Sequence, residues 1–231
     1  MKKVLPLLAV GLTLLIGSTA HAQPTIDFGI VAPTPGTISF GGGAAPLVGT
    51  NIEVDNVVGI NTPLNPGVVR TITGGLLNFT TGAGTGLGFM WTGGGSITVT
   101  GGIAALGIAN GSTLLSGTFE AAQVINFGTN PRVLVSLLID RINAALAASV
   151  GLPGGLAATD LPYNGVLNLS FNIGSGGIDP VTGAFTTAGG GAVLSGDLNN
   201  TPVPEPSSMI LLGIGAAGAF LGYRRRLKAA A

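Results

Sequence analysis

Val166-Leu167-Asn168-Leu169-Ser170-Phe171-Asn172 decides the fold class. Leu167, Leu169 and Phe171 fall on one parity and Asn168, Ser170 and Asn172 on the other. In an extended chain three apolar side chains therefore face one way and three polar ones the other. A helix would scatter the same residues around its axis. Ser96-Ile97-Thr98-Val99-Thr100 alternates in the same way, with Ile97 and Val99 on the face opposite the hydroxyls.

Working outward, short apolar runs recur between clusters of Gly, Pro, Asn and Thr, the pattern of many short strands. Strands are predicted over 25–31, 37–40, 52–58, 68–73, 76–81, 87–91, 96–100, 112–120, 123–127 and 132–139. One helix is predicted over 140–150, with Asp140 as its cap, an alanine-rich body, and Gly151 and Pro153 as its stop. Turn signals at this spacing favour an all-β, jelly-roll-like, two-sheet β-sandwich with one short helix. A β-helix is the alternative, but no stacked motif accompanies the glycines. Leu114-Leu115-Ser116-Gly117-Thr118-Phe119 resembles Val193-Leu194-Ser195-Gly196-Asp197-Leu198, a spacing far outside any solenoid period.

Composition narrows the chemistry. Gly and Pro make up 55 of the 231 residues, about twice the usual share. The glycines show no three-residue period, which excludes collagen. There is no Cys, and 46% of the chain is apolar, so neither a disulfide scaffold nor a disordered polar polymer fits.

The two ends read as addresses. Lys2 and Lys3 precede an apolar stretch to Gly17, and Ala20-His21-Ala22 closes it with small residues at the first and third positions. This is the order of a signal peptide over 1–22, cut after Ala22 to leave Gln23 first. A core helix is the competing reading. At the other end Thr201-Pro202-Val203-Pro204-Glu205-Pro206 reads as a stiff linker over 201–206. A charge-free run over 207–223 follows, about 25 Å as a helix and enough for a thin bilayer core. The tail over 224–231 carries Arg224, Arg225, Arg226 and Lys228, which would stay cytoplasmic as a membrane stop.

That tripartite tail, with Pro204-Glu205-Pro206 at its head, resembles the PEP-CTERM sorting signal of Gram-negative bacteria. The resemblance implies export by signal peptidase and the secretion machinery, with an inner-membrane intermediate. It further implies processing near Pro204, Glu205 and Pro206 by an exosortase, a membrane-embedded sorting enzyme. The product would be released or attached at the cell surface, often beside exopolysaccharide. A plain single-pass anchor after a Pro-rich hinge is the competing reading.

The domain left between the addresses, 23–200, has no His, Lys or Cys. Triads built on His or Cys cannot be assembled, nor can imidazole or thiolate metal sites. Eight carboxylates against Arg70, Arg132 and Arg141 give it a charge of −5, which argues against nucleic acid. No enzyme activity and no cofactor are expected. Glu53 and Asp55, two apart on an expected strand, are weak calcium candidates with solvation as the simpler role. Asp179 and Asp197 lie in loop-like contexts of the same kind. Trp91 and Tyr163 are candidate platforms for a sugar ring, and a core role competes. The glycine runs at Gly84-Thr85-Gly86 and Gly93-Gly94-Gly95 have no Lys to serve a phosphate loop and read as turns or bulges. A structural or adhesive surface protein leads, a carbohydrate-binding module comes second, and a carboxylate-only glycosidase third.

Overall fold

The computed structural model describes residues 22–203, except 33, 87–88, 126–131, 175 and 189–190, together with position 215. Ala20, Pro204, Glu205, Pro206, Arg224, Arg225, Arg226 and Lys228 lie outside the described residues, as do the spans expected at 4–17 and 207–223. Among the described residues no helix is long and apolar enough to cross a membrane.

Among the described residues twelve strands form in chain order: β1 (Thr25–Ile30), β2 (Thr37–Phe40), β3 (Leu47–Glu53), β4 (Asn56–Ile60), β5 (Val69–Thr71) and β6 (Thr73–Thr81). They continue with β7 (Met90–Ile103), β8 (Ile108–Ile125), β9 (Arg132–Ile142), β10 (Tyr163–Asn172), β11 (Phe185–Thr186) and β12 (Ala192–Pro202). A 3₁₀ turn (Ala104–Leu106) joins β7 to β8, and a short helix, α1 (Ala144–Ser149), follows β9. In β10 the alternation holds residue by residue. Leu167, Leu169 and Phe171 have no exposed surface, and burial of each is worth roughly 1.5–3 kcal/mol.

The expected two sheets are a single antiparallel sheet, ordered β11-β2-β3-β6-β7-β8-β9-β10-β12-β1-β4-β5. The long strands β7, β8 and β9 carry the hydrogen bonding without a break between its two halves. Bulges let these strands bend, as where the register shifts between Gly94 and Ile97. The sheet curls until β2 and β12 approach, with Thr34 bridging to Val193. The Phe171 ring of β10 stacks on Phe185 of β11, centroids 5.8 Å apart, although six strands stand between them in the sheet order. One core fills the interior. Both edge strands are very short, which limits edge-to-edge association.

Three local differences from the sequence reading have physical causes. The strand expected over 52–58 breaks at Val54 and Asp55, where the chain leaves β3 and enters β4, on the other side of the roll. The amide of Val54 bonds the Gly75 carbonyl and that of Asp55 the Gly29 carbonyl, so the corner satisfies both neighbours. The runs around Trp91 and Val99 are one strand, because Gly93-Gly94-Gly95 forms a bulge rather than a turn. The helix starts late. Asp140 belongs to β9 and is fully buried, and Asn143 caps α1 instead, its Oδ1 accepting from the amides of Ala145 at 3.0 Å and Leu146 at 3.4 Å. Asn143→Ala should therefore cost about 1 kcal/mol, measured by denaturant unfolding; an unchanged midpoint would show the cap contributes nothing.

Candidate functional site

The expected linker begins later than its composition suggests. Thr201 and Pro202 lie in β12, with Pro202 opposite Tyr163 of β10. Pro is tolerated here because the pairing of β12 with β1 stops at Asn200, so no ladder bond needs the missing N–H. Val203 still donates to the Pro162 carbonyl at 3.0 Å. The sheet thus runs to the residue before Pro204, on a strand held from both sides. Gln23 lies at the same end, its side-chain amide donating to the Pro202 carbonyl at 3.4 Å. Both expected processing points therefore leave one pole of the roll, beside the loops 61–68 and 151–162.

The opposite pole carries the loop 41–46 and the described residues of 82–86, 89, 173–174, 176–188 and 191. Since β12 has eleven residues, the poles stand roughly 30 Å apart at about 3.3 Å per residue. Two adjoining grooves lie there. One, of about 570 Å³, is lined by Phe40, Phe89, Met90 and the glycines at 41–43. The other, of about 620 Å³, runs past Phe185, Ile178 and Asp179. Phe89 holds a left-handed backbone (φ 53°), and its ring meets Phe40 edge-on at 6.1 Å. Neither the aromatic-lined groove nor the apolar loop 61–68 stood out in the sequence. The only available signal for the loop was that 56–69 lacks any charge.

The expected platforms are not platforms. Trp91 is 2% exposed and Tyr163 is fully buried, so neither offers a ring face to a sugar. Trp91 instead donates its indole N–H to the Ala45 carbonyl at 3.1 Å, and Tyr163 donates its hydroxyl to the Pro153 carbonyl. Each polar handle has found a backbone acceptor, as buried Trp and Tyr require.

The carboxylates scatter. Glu53 ends β3, while Asp55 lies beyond the corner and accepts the Val31 amide at 2.7 Å. The one-strand spacing that made them a calcium pair does not exist. Asp179 caps its own turn by accepting from the amides of Val181 and Thr182 at 2.8 and 2.9 Å, and those bonds lower its pKa. Among the described residues no group of three or more His, Cys, Asp or Glu could hold a metal.

Asp27 and Asp197 are diagonal neighbours across β1 and β12. Burial, then the Asp197 charge, pushes Asp27 up to about 6. Burial also raises Asp197, which Asn199 partly offsets by donating to its carboxylate. The pair sits on the outward face of β1 and β12 and lines neither groove. Such a placement provides no cleft for a glycosidic bond.

What remains is a β-sheet domain whose last described strand ends at Pro202, two residues before the expected processing segment that begins at Pro204. Residues 202–226 match the PEP-CTERM protein-sorting motif, so the chain carries that motif after its sheet domain. The motif implies an exosortase partner, export, and a membrane-anchored intermediate on the way to the cell surface. No curated protein and no solved structure matches the chain.

Proposed function

We propose that the chain is a non-enzymatic surface protein, a structural or adhesive component of the envelope or its exopolysaccharide. In this reading the signal peptide exports it, the apolar run over 207–223 holds it in the inner membrane, and the exosortase cuts near Pro204, Glu205 and Pro206. The observation that carries the reading is the sorting motif, which starts at Pro202 within the last strand. A domain without His, Lys or Cys supports the non-enzymatic part. Intact mass of the protein recovered from its own cells should show loss of both ends, including Ala231. Glu205→Ala should accumulate the longer form at least several-fold; a mature protein still ending at Ala231 would sink the proposal.

One observation favours a second reading, carbohydrate binding. The Phe40–Phe89 groove stands at the pole opposite the sorting motif, where a tethered domain would present it outward. Binding of the intact protein on a glycan array would favour this reading, and silence across the array would leave the structural role in front.

A further inference from the structure

Among the described residues, five of the ten large apolar side chains that stand exposed belong to the pole of the expected processing points or the hairpin leading from it: Ile60, Leu64, Val68, Val69 and Leu156. Their loops form one surface. The Leu64 amide donates to the Val150 carbonyl at 3.0 Å, and the Asn65 side chain donates to the Ser149 carbonyl at 2.8 Å. Thr25, at the start of β1, pairs with Ile60. Charge is sparse: 61–68 has none, 151–162 has Asp160 alone, whose carboxylate is turned onto the Ala157 amide, and the Arg141 guanidinium of β9 donates to the Ala158 carbonyl at 3.0 Å. Asp160 is the one acid in these two loops, in a domain of net charge −5.

The tether explains what such a surface meets. Val203 is fixed to the sheet, and only Pro204, Glu205 and Pro206 separate it from the charge-free run that starts at Ser207. Four Cα steps reach at most about 14 Å. The polar zone on each side of a bilayer core is about 5–7 Å deep. A span beginning at Ser207 therefore brings the loops of this pole to the headgroups. Exposed Leu and Val beside sparsely charged loops suit that interface, whereas an acidic face would be repelled by anionic lipid.

We infer that the pole formed by 60–69 and 151–162 docks on the lipid bilayer while the C-terminal span is in place, presenting the processing segment at the membrane surface. The inference rests on the membrane-anchored reading proposed above. Its occupant is lipid, and the opposite pole stays in water.

The absence of Cys makes the test direct. Leu64→Cys, Leu156→Cys and Val181→Cys are made singly in the full chain and labelled with an environment-sensitive fluorophore. The protein is then reconstituted in phosphatidylethanolamine–phosphatidylglycerol vesicles with or without a spin-labelled lipid quencher. Val181, 90% exposed in the opposite loops, is the control, and Trp91 emission verifies folding of each variant. Labels at Leu64 and Leu156 should be quenched several-fold more than the label at Val181. Equal quenching at all three positions, in protein that resists alkaline extraction, overturns the docking and leaves the anchor intact. Blue-shifted emission at Leu64 and Leu156 without lipid quenching means that protein covers the pole, through a second copy or another segment, and also overturns it. Protein that leaves the vesicles on extraction removes the anchor reading and the docking together.

Discussion

Asp140→Asn stabilises the protein at alkaline pH, and the gain grows from pH 5 to pH 8. Asp140 is fully buried, and neither carboxylate oxygen has a hydrogen-bond partner among the described residues. It faces Tyr163 across the β9–β10 pair and Gly117 across the β8–β9 pair. A Cβ on Gly117 would lie 2.7 Å from the Asp140 Cβ, so the side chain fits only because glycine is opposite. Burial pushes Asp140 from 3.8 up to about 8. Tyr163 rises to about 12, through its own burial first and the Asp140 charge second.

The sign follows from linkage. A carboxyl whose pKa is raised on folding favours the native state while neutral. That contribution is complete below about pH 4 and is lost as pH climbs through 8, at about 1.4 kcal/mol per unit. Over about four units the gross loss is roughly 5 kcal/mol. An unpartnered buried amide takes back about 1–3 kcal/mol, leaving Asp140→Asn ahead by roughly 3 kcal/mol at pH 8. Urea unfolding of the full chain in detergent, followed by Trp91 emission, reads the difference. The wild type should weaken steadily from pH 5 to 8, while the variant should flatten above about pH 7, where Asp27, raised to about 6, has largely titrated. Parallel profiles for the two proteins between pH 6 and 8 would show that Asp140 is not held neutral by its burial.

The same residue shows where the sequence stops being legible. Asp before an alanine-rich stretch reads as a helix cap, because local patterns cannot reveal that β9 continues through Ile142 to keep pairing with β8 and β10. Parity served better where one face is buried and the other wet: β2 is found over the residues predicted, and every apolar residue of 166–172 that shares the Leu167 parity is in the core. It failed at Val54 and Asp55, where the chain changes partners and the buried parity passes from Ile52 and Val54 to Val57. It also failed at Gly93-Gly94-Gly95, where glycine bends a strand but does not end it, since Gly95 (φ 72°) must pass within reach of the Thr80 carbonyl. The sorting motif was legible in full because its order is linear, as expected of a segment read by an enzyme. The groove and the apolar pole were not legible, because each is assembled from loops distant in sequence.

Trp91→Ala should cost about 3–5 kcal/mol, the range for removing a large aromatic from a core, and the reason is specific to the loop end. The indole is 2% exposed and meets Phe40 edge-to-face, with centroids 5.0 Å apart and planes at 87°. Phe40 in turn packs on Phe185 at 5.8 Å, so one ring joins β7 to the two strands at the far edge of the sheet. Truncation removes that contact and also orphans the Ala45 carbonyl. With native stability commonly 5–15 kcal/mol, such a loss would loosen both grooves even if the rest of the roll survived. Circular-dichroism unfolding of the full chain reads the cost, and a loss under about 1 kcal/mol would contradict the packing. Hydrogen exchange should rise first at 41–45 and 82–86. A sugar-binding assay that used Trp91→Ala would therefore register collapse of the groove as loss of a platform. Met90, 49% exposed on the groove wall, is the residue whose replacement separates binding from folding.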